Sequence, residues 1–207
     1  MTVWFTSDLH LGHRFVARLR GMEVAVHDRQ VLAGIQALPP GDRLWILGDL
    51  SRGAPEEERR ALDLLATHGG HLEMHLIAGN HDSCHPIHKS AFRMQKHFLE
   101  VFASVQAYQK LRWEGRSVYL SHFPRPGLDH EGMESRHDEV RLSVDHLVHG
   151  HLHRSHPDTG PGMVDVGLDA WGLRPVRQEN RGGPGLMATQ ETQTSSSHQT
   201  GTPIPTR

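Results

Sequence analysis

Val3-Trp4-Phe5-Thr6-Ser7-Asp8-Leu9-His10 opens the chain with four strand-forming residues that run straight into a carboxylate and an imidazole. An apolar run of this length, closed by turn formers, predicts a short buried strand over 3–6. The arrangement recurs downstream. Leu44-Trp45-Ile46-Leu47 runs into Gly48-Asp49, and segment 72–78 runs into Gly79-Asn80-His81-Asp82. Ser117-Val118-Tyr119-Leu120 runs into Ser121-His122, and Leu147-Val148-His149 into Gly150-His151-Leu152-His153. Five predicted strands thus deliver oxygen and nitrogen donors at their C-terminal ends, the edge where open α/β sheets place ligand sites. Gly48, Gly79 and Gly150 are expected to let the chain turn sharply there, because glycine adopts positive φ without steric cost.

The segments between these strands read as helices. Residues 13–20 place Phe15, Val16 and Leu19 on one side, and residues 24–38 form a longer helix stopped by Pro39-Pro40-Gly41. Pro55 opens another helix, with Glu56, Glu57 and Glu58 at the positive end of the dipole and Leu62, Leu65 and Ala66 at helical spacing. Residues 87–101 predict a helix carrying Phe92, Phe98 and Leu99. Residues 105–113 and 117–120 read as a hairpin about Glu114-Gly115-Arg116, and 163–168 as a last strand. The order β-α-β-α-β-α followed by β-rich chain predicts a layered α/β domain whose later strands form their own sheet. After Val176 the chain turns to Gly-Gly-Pro-Gly, Thr-Ser-Ser-Ser and Pro-Ile-Pro-Thr, with few large apolar residues. The expected organisation is a domain over 1–176 and a disordered tail over 177–207, which buries too little surface to offset the entropy of ordering.

Composition bounds the rest. A chain of 207 residues with 36% hydrophobic and 22% charged residues suits one globular domain. A formal net charge of -2, with no run of Lys or Arg, argues against stable binding along a nucleic-acid backbone. Cys84 is the single cysteine, so no internal disulfide forms and a reducing compartment is expected. No basic-then-apolar leader and no apolar stretch near the ~20 residues of a membrane span are seen, so a cytoplasmic protein without a membrane partner is expected.

The 19 histidines matter through where a few of them fall. Asp8, His10, Asp49, Asn80, His122, His151 and His153 are too many donors for one tetrahedral ion. They suit two ions sharing a carboxylate, held ~3.5–4 Å apart in two-metal hydrolases. Without sulfur, the set favours two divalent ions such as Mn, Fe, Zn or Ni, with Mn expected. Singly, Asp8 or Asp49 reads as a cap or turn residue, and only their joint order argues for metal. His13 lies three residues past His10, and Arg52 three past Asp49, where its planar fork can reach a phosphate. Both are candidate substrate contacts, set against ordinary packing or solvation. Cys84, near His81, reads as an inert small residue. The remaining histidines, His27, His130, His137 and His149 among them, are expected to be solvated or partly packed.

Asp-x-His, Gly-Asp, Gly-Asn-His-Asp, Ser-His and Gly-His-x-His, in that order, resemble the calcineurin-like metallophosphoesterases, in particular their small capless bacterial and phage type. The resemblance spans Asp8 to His153 and extends to Val166-Gly167-Leu168-Asp169. It implies a four-layer fold, a two-sheet β-sandwich flanked by helices. It implies that Asp8, His10, Asp49 and His153 hold one ion and Asp49, Asn80, His122 and His151 the other, with Asp49 as the bridge. His81 matches the histidine set beside the leaving group. On this pattern a metal-held hydroxide attacks phosphorus and His81 acts as general acid, with no covalent intermediate. Gly48-Asp49-Leu50-Ser51-Arg52-Gly53 lacks the second Asp of the protein phosphatases, which leaves the partner orienting His81 unassigned. His81 stands where the lipid-A precursor hydrolases carry Arg, and the length leaves no room for the capping domains of the double-strand-break nucleases. The expected function is hydrolysis of small phosphodiesters, nucleotides such as cyclic nucleotides among them. A phosphomonoesterase or small nuclease is the alternative, and a non-catalytic interaction scaffold, disfavoured by the intact donor set, a distant one.

Overall fold

The computed structural model of the protein describes residues 1–178. Strands β1 (Val3–Thr6), β2 (Arg43–Ile46), β3 (Glu73–Ile77) and β4 (Ser104–Gln106) pair in parallel. The late strand β9 (Val176–Arg177) adds antiparallel to β1, giving the order β4-β3-β2-β1-β9. A second sheet has the order β5-β6-β7-β8, from β5 (Tyr108–Trp113), β6 (Arg116–Ser121), β7 (Leu147–His149) and β8 (Met163–Asp165). Only the β5–β6 pair in it is antiparallel.

Phe5, Trp45, Leu47 and Ile77 from the first sheet meet Trp113, Val118, Leu120, Val148 and Val164 from the second, so the two sheets share one apolar layer. The opposite face of the first sheet packs on helices α2 (Val24–Gln36), α3 (Pro55–Gly69) and α4 (Ala91–Phe98), through Val31, Ile35, Leu62, Leu65 and Phe98. The protein is thus mixed α/β, two sheets flanked by helices. The helical elements that follow β6 are short 3-10 turns, Asp138–Val140 and Leu168–Trp171.

Several expectations shift in detail. The single strand expected over 105–113 is two strands, one in each sheet, and Ala107 carries the chain across the sandwich. Segment 105–113 holds no Gly, Pro, Asn, Asp or Ser, so nothing in the sequence marks the change of sheet. The hairpin turns on Glu114 and Gly115, at φ 45° and 80°, as a two-residue connection demands. The helix expected from 87 begins at Ala91, because Asp82, His85, His88 and Ala91 each donate N–H three residues back in successive tight turns. In α1 (Arg14–Leu19), Val16 and Ala17 are buried while Phe15 and Leu19 face solvent. The expected domain end after Val176 falls within β9, and Gln178 still donates to the Val3 carbonyl. The tail expected over 177–207 otherwise lies outside the described residues. Among the described residues, no helix is long and apolar enough to cross a membrane.

Candidate metal centre

β1, β2 and β3 run parallel, as do β6 and β7 in the other sheet, so the residues after each strand gather at common edges. The donors there sit on unusual backbone. Asp8, His10, Asp49, His151 and His153 have φ of 59°, 46°, 56°, 74° and 52°. Asp and His tolerate this left-handed region better than most residues, yet each instance costs on the order of 1–3 kcal/mol and persists only where surroundings fix it. Here they do. Asp8 N–H donates to the Gly48 carbonyl, His10 N–H to the Asp49 carbonyl, and Asp49 N–H to Asp82 Oδ2, each at 3.0 Å. His151 N–H donates to Asp8 Oδ2 at 2.9 Å.

The glycines act differently from one another. Gly48 has φ 91°, as a sharp turn requires. Gly79 and Gly150 have no positive φ and are needed for close approach instead. A Cβ on Gly79 would collide with Asp49 Oδ1, and one on Gly150 would collide with Ser7 Oγ and stand 2.6 Å from Asp8 Oδ2.

The side chains predicted from sequence come together. Asp49 Oδ2 lies 3.8 Å from His10 Nε2 and 3.6 Å from His122 Nε2. His153 Nε2 is 3.8 Å from Asp8 Oδ1 and 3.1 Å from His10 Nε2. Asn80 Oδ1 is 3.0 Å from His122 Nε2, and His151 Nδ1 is 3.3 Å from the same atom. Asp8, His10 and His153 form one compact donor group and Asp8, Asp49 and His122 another.

Each imidazole is held by its other nitrogen. His10 Nδ1 bonds the Ser51 carbonyl at 3.2 Å, His122 Nδ1 the Leu47 carbonyl at 2.7 Å, and His81 Nδ1 the Arg52 carbonyl at 3.1 Å. His153 Nδ1 bonds Asp169 Oδ2 at 2.8 Å, and His151 Nε2 bonds Asp129 Oδ1 at 3.1 Å. An imidazole N–H donating to an oxygen fixes the tautomer and leaves the opposite nitrogen free as a lone-pair donor. The inward atom is therefore Nε2 in His10, His81, His122 and His153, and Nδ1 in His151.

Burial moves these groups towards neutrality. Desolvation raises Asp49 to about 7, with neighbouring Asp8 adding to it. Desolvation, then His153 and Arg20, push His10 well below its ordinary value, and desolvation lowers His122. His153 goes the other way: burial lowers it, but the hydrogen bond to Asp169 and the charge of Asp8 outweigh that. Asp8 Oδ1 is buried with no hydrogen-bond partner, which normally costs a few kcal/mol. A divalent cation would satisfy that oxygen and draw on neutral imidazoles that already face inward. The residues present fit metal.

Sequence reasoning missed part of the centre. Asp129 and His130 come from the loop after β6, with no strand or motif before them, yet Asp129, His130 and His151 form a third donor group. His130, expected to be solvated or partly packed, has its ring 4.7 Å from that of His151. His27 and His149, expected to be solvated or partly packed, are fully buried. Arg20, on the C-terminal side of α1, forks onto Asp169 at 2.9 and 2.7 Å and donates to the Asp8 carbonyl at 2.9 Å. Of the candidate substrate contacts, His13 lies edge-on to His10 at 5.3 Å with its buried Nδ1 unpartnered. The Arg52 guanidinium pairs with Glu57 at 3.0 Å, and its backbone carbonyl is what orients His81. Cys84 is buried in the core, and burial pushes its thiol up, as an inert residue should be.

Two stacked sheets whose strand ends collect carboxylates and oriented imidazoles define a layered α/β protein with a candidate metal centre. The chain belongs to the calcineurin-like phosphoesterase superfamily, whose domain model matches residues 1–193. It is 35% identical over 191 residues to the Gene 66 protein of Mycobacterium phage L5, covering 85% of this chain and 90% of that protein. It is 39% identical over 182 residues to the Gene 66 protein of Mycobacterium phage D29, covering 82% and 88%. Among solved structures, the protein of unknown function AQ665 from Aquifex aeolicus shares the fold, with a TM-score of 0.61 at 18% identity over 86% of this chain and 95% of that one. The protein is a phosphoester hydrolase of this superfamily.

Proposed function

We propose that the protein is a dinuclear metal-dependent phosphodiesterase acting on small phosphodiesters, nucleotides such as cyclic nucleotides among them. The observation that carries this reading is the place of Asp49 Oδ2, within 3.6–3.9 Å of the inward nitrogens of His10, His122 and His81. A carboxylate there reaches both halves of the donor set and serves as the bridge. Asp8, His10 and His153 complete one half, and Asn80, His122 and His151 the other.

Two divalent ions, Mn²⁺ the expected pair, would supply Lewis acidity when bound there, the chemistry that neutralises phosphate oxygens and makes water a competent nucleophile near neutral pH. The chain does the rest. Asp49 Oδ1 accepts the His81 backbone N–H at 2.9 Å, which ties the bridging residue to the acid. Nδ1–H is committed to the Arg52 carbonyl, so the protonated ring of His81 carries its mobile proton on Nε2, gives it to the leaving oxygen and is left with Nε2 as a lone pair, a contribution of typically ~10²–10⁴-fold. Asp169 and Asp129 hold His153 and His151 in their inward-facing orientations. Cys84 is buried with its thiol pushed up and is unsuited to nucleophilic attack, in keeping with a proposed hydrolysis by direct attack of water. The test is to strip the protein with a chelator, restore Mn²⁺, and compare bis-p-nitrophenyl phosphate with p-nitrophenyl phosphate. Mn-dependent turnover favouring the diester supports the proposal. Preference for the monoester would make it a phosphomonoesterase, and no turnover of either would refute it.

A further inference from the structure

His130 has no part in the chemistry above. Six imidazoles form a closed necklace, with centroid separations of 5.6 Å from His81 to His10, 5.0 Å on to His153, 5.7 Å to His130, 4.7 Å to His151 and 5.2 Å to His122. It closes where Nε2 of His122 and of His81 face the same Asp49 oxygen. In the order of this necklace His130 is three rings from His81 either way round. The side chains of these two are 30% and 40% exposed and that of His153 25%, whereas His10, His122 and His151 are almost closed off; of the three open rings, His130 alone has no part in the proposed centre.

The rings of His130 and His81 are oriented alike. His130 Nδ1–H donates to Asp129 Oδ1 at 2.8 Å, leaving Nε2 as the free edge and, in the neutral ring, an acceptor. The segment presenting it is stapled in place. The fully buried side chain of Arg141 donates to Asp129 Oδ2 at 2.9 Å and to the carbonyls of Arg136 and Leu128. Arg125 donates to the carbonyls of Val144, Asp145 and Pro161 at 2.7–2.8 Å. A third cation beside Asp129 is disfavoured, because Arg141 and Arg136 already flank that carboxylate. A fixed, half-open imidazole is instead suited to substrate.

A diester carries a substituent that stays on phosphorus as well as one that leaves. In-line attack puts the water opposite the leaving oxygen at His81, so the retained group projects sideways from that line towards the open rim of the necklace, where His130 is one of the exposed rings. Resting on the diesterase reading, the geometry points to His130 as the residue that contacts this retained group, its Nε2 accepting a hydrogen bond from a sugar hydroxyl of a nucleotide. Such a contact selects nucleotides over esters without a hydroxyl there, since a polar site loses a bond with the wrong ligand.

The test is calorimetric binding of adenosine 5′-monophosphate and of inorganic phosphate to the Mn-loaded protein, for wild type, His130→Ala and His130→Gln. In His130→Ala the nucleotide should bind about 5-fold more weakly, the size of one neutral hydrogen bond, with phosphate changed less than about 2-fold. His130→Gln, whose amide reaches near the Nε2 position, should recover part of the loss, and metal content should be unchanged in both variants. Equal weakening of both ligands, no weakening of either, or loss of an ion would overturn the assignment. Binding is read without turnover, so the outcome is separable from the parent reading. A protein inactive on diesters that still loses nucleotide affinity selectively keeps the His130 contact and drops the reaction.

Discussion

Replacing Asp82 should cost more stability than replacing any exposed carboxylate, and by an amount its hydrogen bonds define. Its Oδ2 accepts the backbone N–H of Asp49 at 3.0 Å and of Gly79 at 2.7 Å, and its Oδ1 accepts that of Leu50 at 3.0 Å. The side chain is buried, so Asp82→Ala strands three donors away from water. Bonds to a charged acceptor contribute about 1.5–3 kcal/mol each. Burial, and then neighbouring Asp49, push Asp82 up to about 7, so its charge is disfavoured and the low end of that range applies. Three bonds at about 1.5 kcal/mol give a loss of roughly 4–5 kcal/mol, much of the stability of an ordinary domain. Asp82→Asn keeps one acceptor oxygen; in the Oδ2 place it retains two of the bonds, leaving Leu50 N–H against an amide donor, for a loss of roughly 2 kcal/mol. Urea unfolding of the chelated protein at pH 8, followed by tryptophan fluorescence, measures both. An Ala variant within about 1 kcal/mol of wild type, or an Asn variant as unstable as Ala, would refute the reasoning.

Three further outcomes are expected. His81→Ala should keep its metal yet lose most activity on diesters with poor leaving groups and less on p-nitrophenyl esters, which depart unaided; equal loss on both would rule out the general acid. Asp169→Asn should weaken binding of the ion on the His153 side by about 10–100-fold while sparing the other, as removal of a ligand's outer partner does, and calorimetric Mn²⁺ titration would expose the alternative of two ions affected equally. His85 is held at about 3 by burial first, then by His122, His88 and His137. Below its unfolded value of 6.5 the unfolded chain takes up the proton first. Its share of stability, full above 6.5, is therefore lost as pH falls towards 3, by up to about 1.4 kcal/mol per pH unit. His85→Phe should flatten the acid limb of the urea midpoint between pH 6 and 4, and superimposable limbs would contradict this.

The convergence of Asp8, His10, Asp49, Asn80, His122, His151 and His153 was legible in the sequence because each directly follows a strand, and parallel strands bring their C-terminal ends to one edge. Asp129 and His130 were not legible. They reach the centre from a long irregular segment whose course is set by Arg125 and Arg141 bonding distant carbonyls, and no local pattern encodes such bonds. Asp82 stood in plain view within Gly79-Asn80-His81-Asp82, but the three amides it collects come from two different strand ends that meet only in the fold. The partner of His81 eluded a search among side chains because it is the Arg52 carbonyl, and every residue carries a carbonyl. In the fold, what stayed hidden was the passage at Ala107 from one sheet to the other, since no turn-forming residue in 105–113 marks the bend.

The central claim is a two-ion centre bridged by Asp49. Titration of Mn²⁺ into chelator-stripped protein, with elemental analysis of the product, tests it most directly. Wild type should take up two ions per chain, and Asp49→Ala, which removes the shared ligand, should fail to hold the pair. One ion or none in wild type, or two ions firmly retained by Asp49→Ala, would contradict the account.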